Sequence, residues 1–222
     1  MRHSFFELTR TRQWTLSITF AILGAVLILS SIFLCMYLQQ PWLLLFLIPL
    51  YFVFAQLLDI PFGHLRGTLI HYSPMLIVQP ISGTWHLHTT TLFDQLFALP
   101  QKDPKLSNQQ QILIWILDGF LALIEELKDK PNIPLVGTTH FLSPRRAEKL
   151  GFTIQAADAG SKFILIINYL NLVLSMSITK GRLCFPKLDQ VRRFEINSAD
   201  LISKEALFRN WRDQLIKRIT RS

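Results

Sequence analysis

The chain has 222 residues, of which 50% are hydrophobic, and carries a formal net charge of +8 at pH 7. Its two cysteines, Cys35 and Cys184, exclude a disulfide framework and agree with a reducing compartment. The basic residues are not interleaved with a recognisable nucleic-acid reader motif, so the positive charge favours an anionic membrane surface as partner over DNA or RNA.

The first apolar segment, residues 14–38, contains 25 residues without a charge. As a helix it would measure about 37 Å, against a hydrocarbon core of about 30 Å, so it is long enough to cross a bilayer with some tilt. Backbone groups in lipid must be satisfied within the segment, which favours a helix. A buried helix pair in a soluble core is the alternative interpretation.

The second apolar segment, residues 42–58, has 17 uncharged residues, near the lower limit for a crossing. Pro41 ends the first helix, and Pro49 predicts a kink in the second. Together the two segments predict a transmembrane helical hairpin at residues 14–63, preceded by a tail at residues 1–13. A re-entrant second segment is the alternative, and it would reverse the side on which the domain lies.

Basic residues flank the hairpin at both ends: Arg2, Arg10 and Arg12 precede it, and Arg66 follows it. Lysine and arginine are retained on the cytoplasmic side of a membrane, so both termini are predicted to be cytoplasmic. We therefore expect a two-pass protein of a bacterial-type inner membrane, with a cytoplasmic domain at residues 64–222.

The first part of the domain reads as strands followed by helices. Short strands are predicted near residues 68–72, 75–78 and 84–88, separated by turn residues. Thr91 and Asp94 have the spacing of an N-cap for a short helix ending near residue 99. Ser107 or Asn108 then caps a long amphipathic helix over residues 109–130.

The second part adds strands near residues 133–141, 152–156 and 190–196, and helices at 144–150, 163–178 and 204–220. The segment 163–178 resembles a third membrane helix, but Asn168 and Asn171 favour a buried helix of the domain. The predicted fold is thus α+β, a transmembrane hairpin followed by a small, mostly antiparallel sheet with three to five helices.

The last predicted helix is basic and amphipathic. One face carries an apolar stripe that includes Trp211, and we expect this stripe to pack on the domain. The other face carries the candidates for contact with lipid headgroups, which are Arg212, Lys217, Arg218 and Arg221.

His86 and His88 are the first candidate site. Residues two apart on a strand share a face, so both imidazoles could ligate one divalent metal, with Asp94 or His140 completing the set. A polar strand face without metal is the alternative interpretation.

The segment from Gly137 to Arg146 is the second candidate site. A strand leading into a Ser-Pro helix start presents free N–H groups and a positive helix end to an anion. The predicted anion-binding residues are Thr138, Thr139, Ser143, Arg145 and Arg146, with His140 beside them.

The sequence contains no evident Ser/His/Asp or Cys/His catalytic set and no Walker-type loop. We therefore expect a membrane-anchored interaction or assembly module, with the lipid bilayer and a protein at the membrane as partners. The alternative is a membrane-associated, metal-dependent or anion-handling hydrolase or transferase that uses His86, His88, Asp94 and His140. The substrate, partner and oligomeric state lie beyond the sequence.

Overall fold

The computed structural model begins with two long apolar helices joined by a short turn. It describes residues 3–130, 132–139, 144–156, 158–188 and 192–220. Helix α1 spans Arg10–Tyr37, helix α2 spans Leu43–Arg66, and the two pack against each other. Both are long and apolar enough to cross a membrane, and few of their side chains are buried. The predicted pair of long apolar helices at the N-terminus is confirmed.

Helix α2 is longer than the predicted segment 42–58 because it continues through Asp59 and Pro61. Pro49 and Pro61 both lie inside the helix, which continues to Arg66. It stops at Gly67, whose φ of 75° lies in the left-handed region that glycine adopts without a steric clash. The extra turns carry His64 beyond the apolar segment, where its ring contacts Phe6 and His71.

Among the residues that the structure describes, six strands form one mixed sheet in the order β1-β2-β3-β4-β6-β5. Their bounds are Ile70–Ser73 (β1), Leu76–Ile81 (β2), Thr84–Thr89 (β3), Pro134–Thr139 (β4), Thr153–Ala156 (β5) and Arg192–Asn197 (β6). All neighbouring pairs are antiparallel except β3 and β4, which run parallel. The prediction of an α+β fold with a mostly antiparallel sheet is confirmed.

Seven α-helices follow the hairpin within the described residues, more than the three to five predicted. They are Leu92–Ala98 (α3), Asn108–Leu127 (α4), Pro144–Lys149 (α5), Ala159–Ile167 (α6), Tyr169–Lys180 (α7), Ser198–Ser203 (α8) and Glu205–Thr220 (α9). The number is higher because α8 is not among the predicted helices and because the predicted helix over residues 163–178 is two helices, α6 and α7.

The predicted single helix over residues 163–178 is divided at Asn168. This residue leaves helical geometry (φ −87°, ψ 12°) and separates α6 from α7. Its side chain accepts a hydrogen bond from Gln56 of α2 and donates one to the Ile164 carbonyl. Phe163 and Ile166 of α6 are about 60% exposed, so the interpretation of a wholly buried helix is wrong for this half.

Helix caps follow the sequence signals closely at two of the predicted positions. Thr91 Oγ1 accepts from the Asp94 N–H at the start of α3. Ser107 and Gln110 form a reciprocal capping box at the start of α4, with bonds of 3.2 and 2.9 Å. Helix α8 is capped by Asn197, whose Oδ1 accepts from the Ala199 N–H.

The hydrophobic core lies between one face of the sheet and helices α4, α5, α8 and α9. Helix α4 approaches the β1–β2 pair so closely that a Cβ at Gly119 would lie 2.6 Å from the Leu76 Cβ and from the Ser73 Oγ. Because strand side chains alternate, Leu76 and Leu87 face this core, whereas His86 and His88 face the opposite side.

Candidate functional site

His86 and His88 lie on one face of β3, as their spacing predicted. His88 lines a cavity of about 170 Å³ together with Gln56 of α2, Asn171 and Ser175 of α7, and neighbouring threonines. Although part of its ring is open to solvent, desolvation by the surrounding protein and the nearby His86 ring lower the pKa of His88. An imidazole with a lowered pKa is neutral at pH 7, and the cavity wall around it is polar.

Asp94 has different neighbours from those predicted. Its carboxylate is fully buried at the first turn of α3, with Oδ1 3.3 Å from the Nε2 atoms of both His3 and His71. Thr91 donates to Asp94 Oδ2 at 2.5 Å. Burial opposes the charged form, but the contacts with His3 and His71 outweigh it and hold the pKa of Asp94 below its usual range.

The structure therefore engages Asp94 with the N-terminal tail and β1. Within the described residues, no group of three or more His, Cys, Asp or Glu side chains is arranged to hold a metal ion. His140, the remaining member of the predicted set, lies outside those residues. Metal binding by His86, His88, Asp94 and His140 stays a prediction.

The predicted anion site falls largely outside the described residues. Thr138 is exposed on β4 and lines two cavities. Thr139 continues β4, and Arg145 and Arg146 belong to α5, but the side chains of these three residues, like Ser143 as a whole, are not among the described parts. Anion binding at this segment also stays a prediction.

The residues predicted to touch lipid headgroups are placed in different surroundings. Arg212 of α9 forms an ion pair with Asp118 of α4, so it joins two helices of the domain. Lys217 is exposed on α9, and Arg218 stands at the rim of a cavity. Arg221 lies beyond the described residues. Contact of this set with headgroups is untested by the structure.

An apolar cavity of about 350 Å³ opens between the sheet, α4 and α9. Its floor is made of the buried side chains of Leu87, Phe152, Phe194 and Phe208. Its walls are the partly exposed side chains of Leu113, Phe120, Trp211 and Leu215. Polar atoms come from Thr89, Thr138, Gln214 and Arg218.

Sequence reasoning missed this apolar cavity because its residues look like ordinary core residues. Trp211 and Leu215 recur at helical spacing, and the pattern predicts a face packed on the domain. The only signal of a site is Arg218, which follows Trp211 and Leu215 on nearly the same face of α9. Hydrophobic periodicity shows which side chains turn inward, but it does not show whether they meet.

Within the described residues, the contacts that join the domain to the hairpin include two sets with hydrogen bonds. On one side, residues 3–8 of the tail pack against α3: Phe5 is fully buried, and Ser4 donates from N and Oγ to the Phe97 carbonyl at 3.2 and 2.6 Å. On the other side, the α2–α7 seam consists of the bonds from Gln56 to Asn168 (3.4 Å) and from Asn171 Nδ2 to the Phe52 carbonyl (3.0 Å).

Helix α7 is bonded to the domain as well as to the hairpin. Gln95 of α3 donates to Ser175 Oγ at 2.8 Å and to Thr179 Oγ1 at 3.1 Å, and Ser175 Oγ donates to the Thr90 carbonyl at 3.1 Å. These polar groups are buried. Because α7 is bonded on both sides, it links the hairpin to α3 and to the residue that follows β3.

No family model, no curated protein and no solved structure matches this chain.

Proposed function

We propose that this protein is a membrane-anchored interaction or assembly module that presents its basic α+β domain to a protein partner in a fixed orientation. The observation that carries the proposal is the double attachment of the domain, through the buried tail and through the α2–α7 seam. A flexible linker would suffice to keep a domain near a membrane. Attachment at two separate places also sets which face the domain turns toward its surroundings.

The proposed location is a bacterial-type inner membrane, crossed twice, with both termini in the cytoplasm. Support comes from two helices long enough to span a membrane and from Arg10, Arg12 and Arg66 at the helix ends away from the turn, since Lys and Arg are retained on the cytoplasmic side. The domain segment at residues 64–222 holds 20 Lys and Arg against 13 Asp and Glu. Such a charge balance is attracted to an anionic leaflet.

The exposed side chains of helix α6 support a position of the domain close to the bilayer. It packs against α2, yet Phe163, Ile164 and Ile166 are 59–63% exposed. Leu183 and Phe185, just beyond α7, are 71% and 65% exposed and lie between Arg182 and Lys187. Apolar side chains beside a membrane helix and flanked by basic residues suit the interface between lipid and water.

The outer sheet face, defined as Gln79, His86, Gln155, Arg193 and Glu195, is the surface we propose for the partner. These side chains point away from the core, and all are at least partly exposed. Glu195 accepts from Gln155 at 3.1 Å and pairs with Arg193 at 2.6 Å. The face is therefore a pre-arranged polar surface of the kind found around protein interfaces.

Site-specific photocrosslinking in intact membranes tests the proposal. A photoreactive residue replacing Gln155 on the outer sheet face is expected to give an adduct of one defined mass, and the same residue at exposed Gln109 on α4 serves as control. The adduct should weaken when Asn171→Asp disrupts the α2–α7 seam while the protein stays in the membrane. Equal adduct yields at both positions, or a yield at Gln155 that Asn171→Asp leaves unchanged, would contradict presentation of the domain in a fixed orientation.

The rival function is a metal-dependent or anion-handling hydrolase or transferase. One observation favours it, namely His88 beside threonines and Asn171 in a polar cavity. Elemental analysis of the full-length protein, purified without chelator beside the His86→Ala/His88→Ala variant, separates the two functions. One equivalent of metal in the native protein that is lost in the variant would support the enzyme and contradict the interaction module.

A further inference from the structure

We propose that the apolar cavity between the sheet, α4 and α9 binds the acyl chain of a single-chain anionic amphiphile, with the carboxylate or phosphate head at Arg218. This inference goes beyond the proposed interaction module and does not depend on it. The cavity is built from residues of the domain alone.

The volume and lining of the cavity suit an acyl chain. Ligand sites in proteins are concave, range upward from about 300 Å³ and are lined mainly by apolar and aromatic side chains. This cavity has a volume of about 350 Å³ and is lined by side chains that include Phe120, Phe152 and Trp211. Protein interiors contain few voids larger than a water molecule, so an opening of this size is not ordinary core packing.

Helix α9, which covers the cavity, is held against α4 by two contacts. Phe208 of α9 is only 1% exposed and packs against Phe120 with ring centroids 5.1 Å apart. One turn further on, the ion pair between Arg212 and Asp118 joins α9 to α4. Beyond that pair, Leu215 and Arg218 line the cavity. Contacts between α4 and α9 therefore run along the cavity and fix the position of its helical walls.

The charge at the rim selects the head group. Gln214 and Arg218 are one turn apart on α9, are both exposed and both line the cavity. Two other arginines of α9 are paired, Arg209 with Glu205 and Arg212 with Asp118, whereas Arg218 has no carboxylate partner among the described ion pairs. A guanidinium left free beside an apolar cavity matches an anionic oxygen group at the end of a hydrocarbon chain.

A photoreactive dodecanoate, with the reactive group on its chain, tests the site in the full-length protein reconstituted in liposomes. Adducts on the peptides of α4 and α9 are expected, because Leu113 and Trp211 line the cavity. An excess of dodecanoate or dodecyl phosphate should suppress them, and whichever competes better identifies the head group. Adducts confined to α1 and α2, or adducts that neither competitor suppresses, would overturn the proposal. This part of the test needs no variant.

Two matched pairs of variants test the chain and the head separately. Leu113→Trp places a larger ring in the cavity wall and should abolish capture, whereas Leu96→Trp, on equally exposed Leu96 of α3, should leave it unchanged. Arg218→Gln should lower capture of dodecanoate by about tenfold, the usual effect of losing one charge-assisted hydrogen bond. Arg209→Gln should leave the capture of dodecanoate unchanged.

Capture of a photoreactive dodecanol separates the anionic head from the chain. It should be the same in the native protein and in Arg218→Gln, because the alcohol carries no charge for the guanidinium to bind. Equal losses of dodecanoate and dodecanol in Arg218→Gln would assign the arginine a structural role and overturn the head-group part. Capture that survives Leu113→Trp would overturn the cavity as the site of the chain.

Discussion

The side-chain amide of Asn171 donates a hydrogen bond of 3.0 Å to the backbone carbonyl of Phe52, and so joins helix α7 of the domain to helix α2 of the hairpin. Asn171 is only 3% exposed, and the bond spans 119 positions of the sequence. A buried donor aimed at a carbonyl oxygen cannot be exchanged for an acceptor without cost.

Replacing this donor should release α7 from α2. Asn171→Asp puts a carboxylate against the Phe52 carbonyl, and a buried, unsatisfied acceptor pair costs about 2–3 kcal/mol. Hydrogen exchange of residues 169–180, measured on the full-length protein in lipid nanodiscs, should accelerate by the factor that corresponds to this free-energy cost. Asn210→Asp makes the same change on an exposed position of α9 and should leave exchange in α7 as it is. Unchanged protection in Asn171→Asp would show that the seam does not hold the domain.

The buried Asp94 carboxylate should make stability depend on acid pH. Its pKa is lower in the folded state than in the unfolded chain, so its ionised form stabilises the fold above the unfolded pKa of about 3.9. That contribution is lost as the pH falls through the folded pKa. Asp94→Asn should therefore lower the free energy of unfolding by about 3 kcal/mol at pH 7, and its difference from the native protein should shrink below about pH 4.

Thermal unfolding of both proteins between pH 3 and pH 8 would measure this difference. Asp129→Asn, which changes an exposed carboxylate at the end of α4, is the control and should differ from the native protein by less than about 0.5 kcal/mol. A constant difference between the Asp94 variant and the native protein at every pH would contradict a role for the ionised carboxylate.

The close packing of α4 on the sheet should make Gly119 intolerant of even one methyl group. Gly119→Ala would place a Cβ 2.6 Å from the Leu76 Cβ, so α4 or β2 must move, at a cost of about 1–3 kcal/mol. Gly24→Ala is the matched change in α1, where the nearest atom, Phe54 Cδ1, would lie at an ordinary 3.9 Å. Equal unfolding midpoints for the two variants in nanodiscs would show that the contact at Gly119 is not tight.

The exposed apolar side of α6 should lie in lipid. A spin label at Ile166→Cys, in a Cys35→Ala/Cys184→Ala background, is expected to be accessible to oxygen and shielded from a water-soluble nickel complex. The same label at Ala122→Cys, on an exposed position of α4, should show the reverse. Equal accessibility to the nickel complex at both positions would place α6 in water, and its apolar surface would then need another partner.

Much of the fold can be predicted because its signals are local. An uncharged run longer than a bilayer core, a Ser-x-x-Gln sequence before an apolar helix and alternation in β3 each depend on residues within a few positions of one another. The two apolar helices, the caps at Thr91 and Ser107 and the shared face of His86 and His88 were all predictable on this basis.

The failures of prediction have a common cause in contacts between distant residues. Asn168 divides a run that looks continuous because it also bonds Gln56, which lies 112 positions earlier. Metal binding by Asp94 with His86 and His88 stays a prediction, but the contacts of Asp94 with His3 and His71 could not be read from local spacing. A carboxylate and an imidazole give the same sequence signal whether they share a site or lie apart.

The sequence alone determined the pair of long apolar N-terminal helices, the α+β class and the positions of most helices and strands, since periodicity and turn residues act over a few positions. Only the tertiary structure decided the parallel pairing of β3 with β4, the junction of tail, hairpin and α7, and the cavity beside Trp211 and Arg218. The physical reason is that each of these depends on how far apart two packed elements stand. That distance is set by side chains far apart in the sequence, such as Arg212 and Asp118, which are 94 positions apart, and not by the local pattern of either.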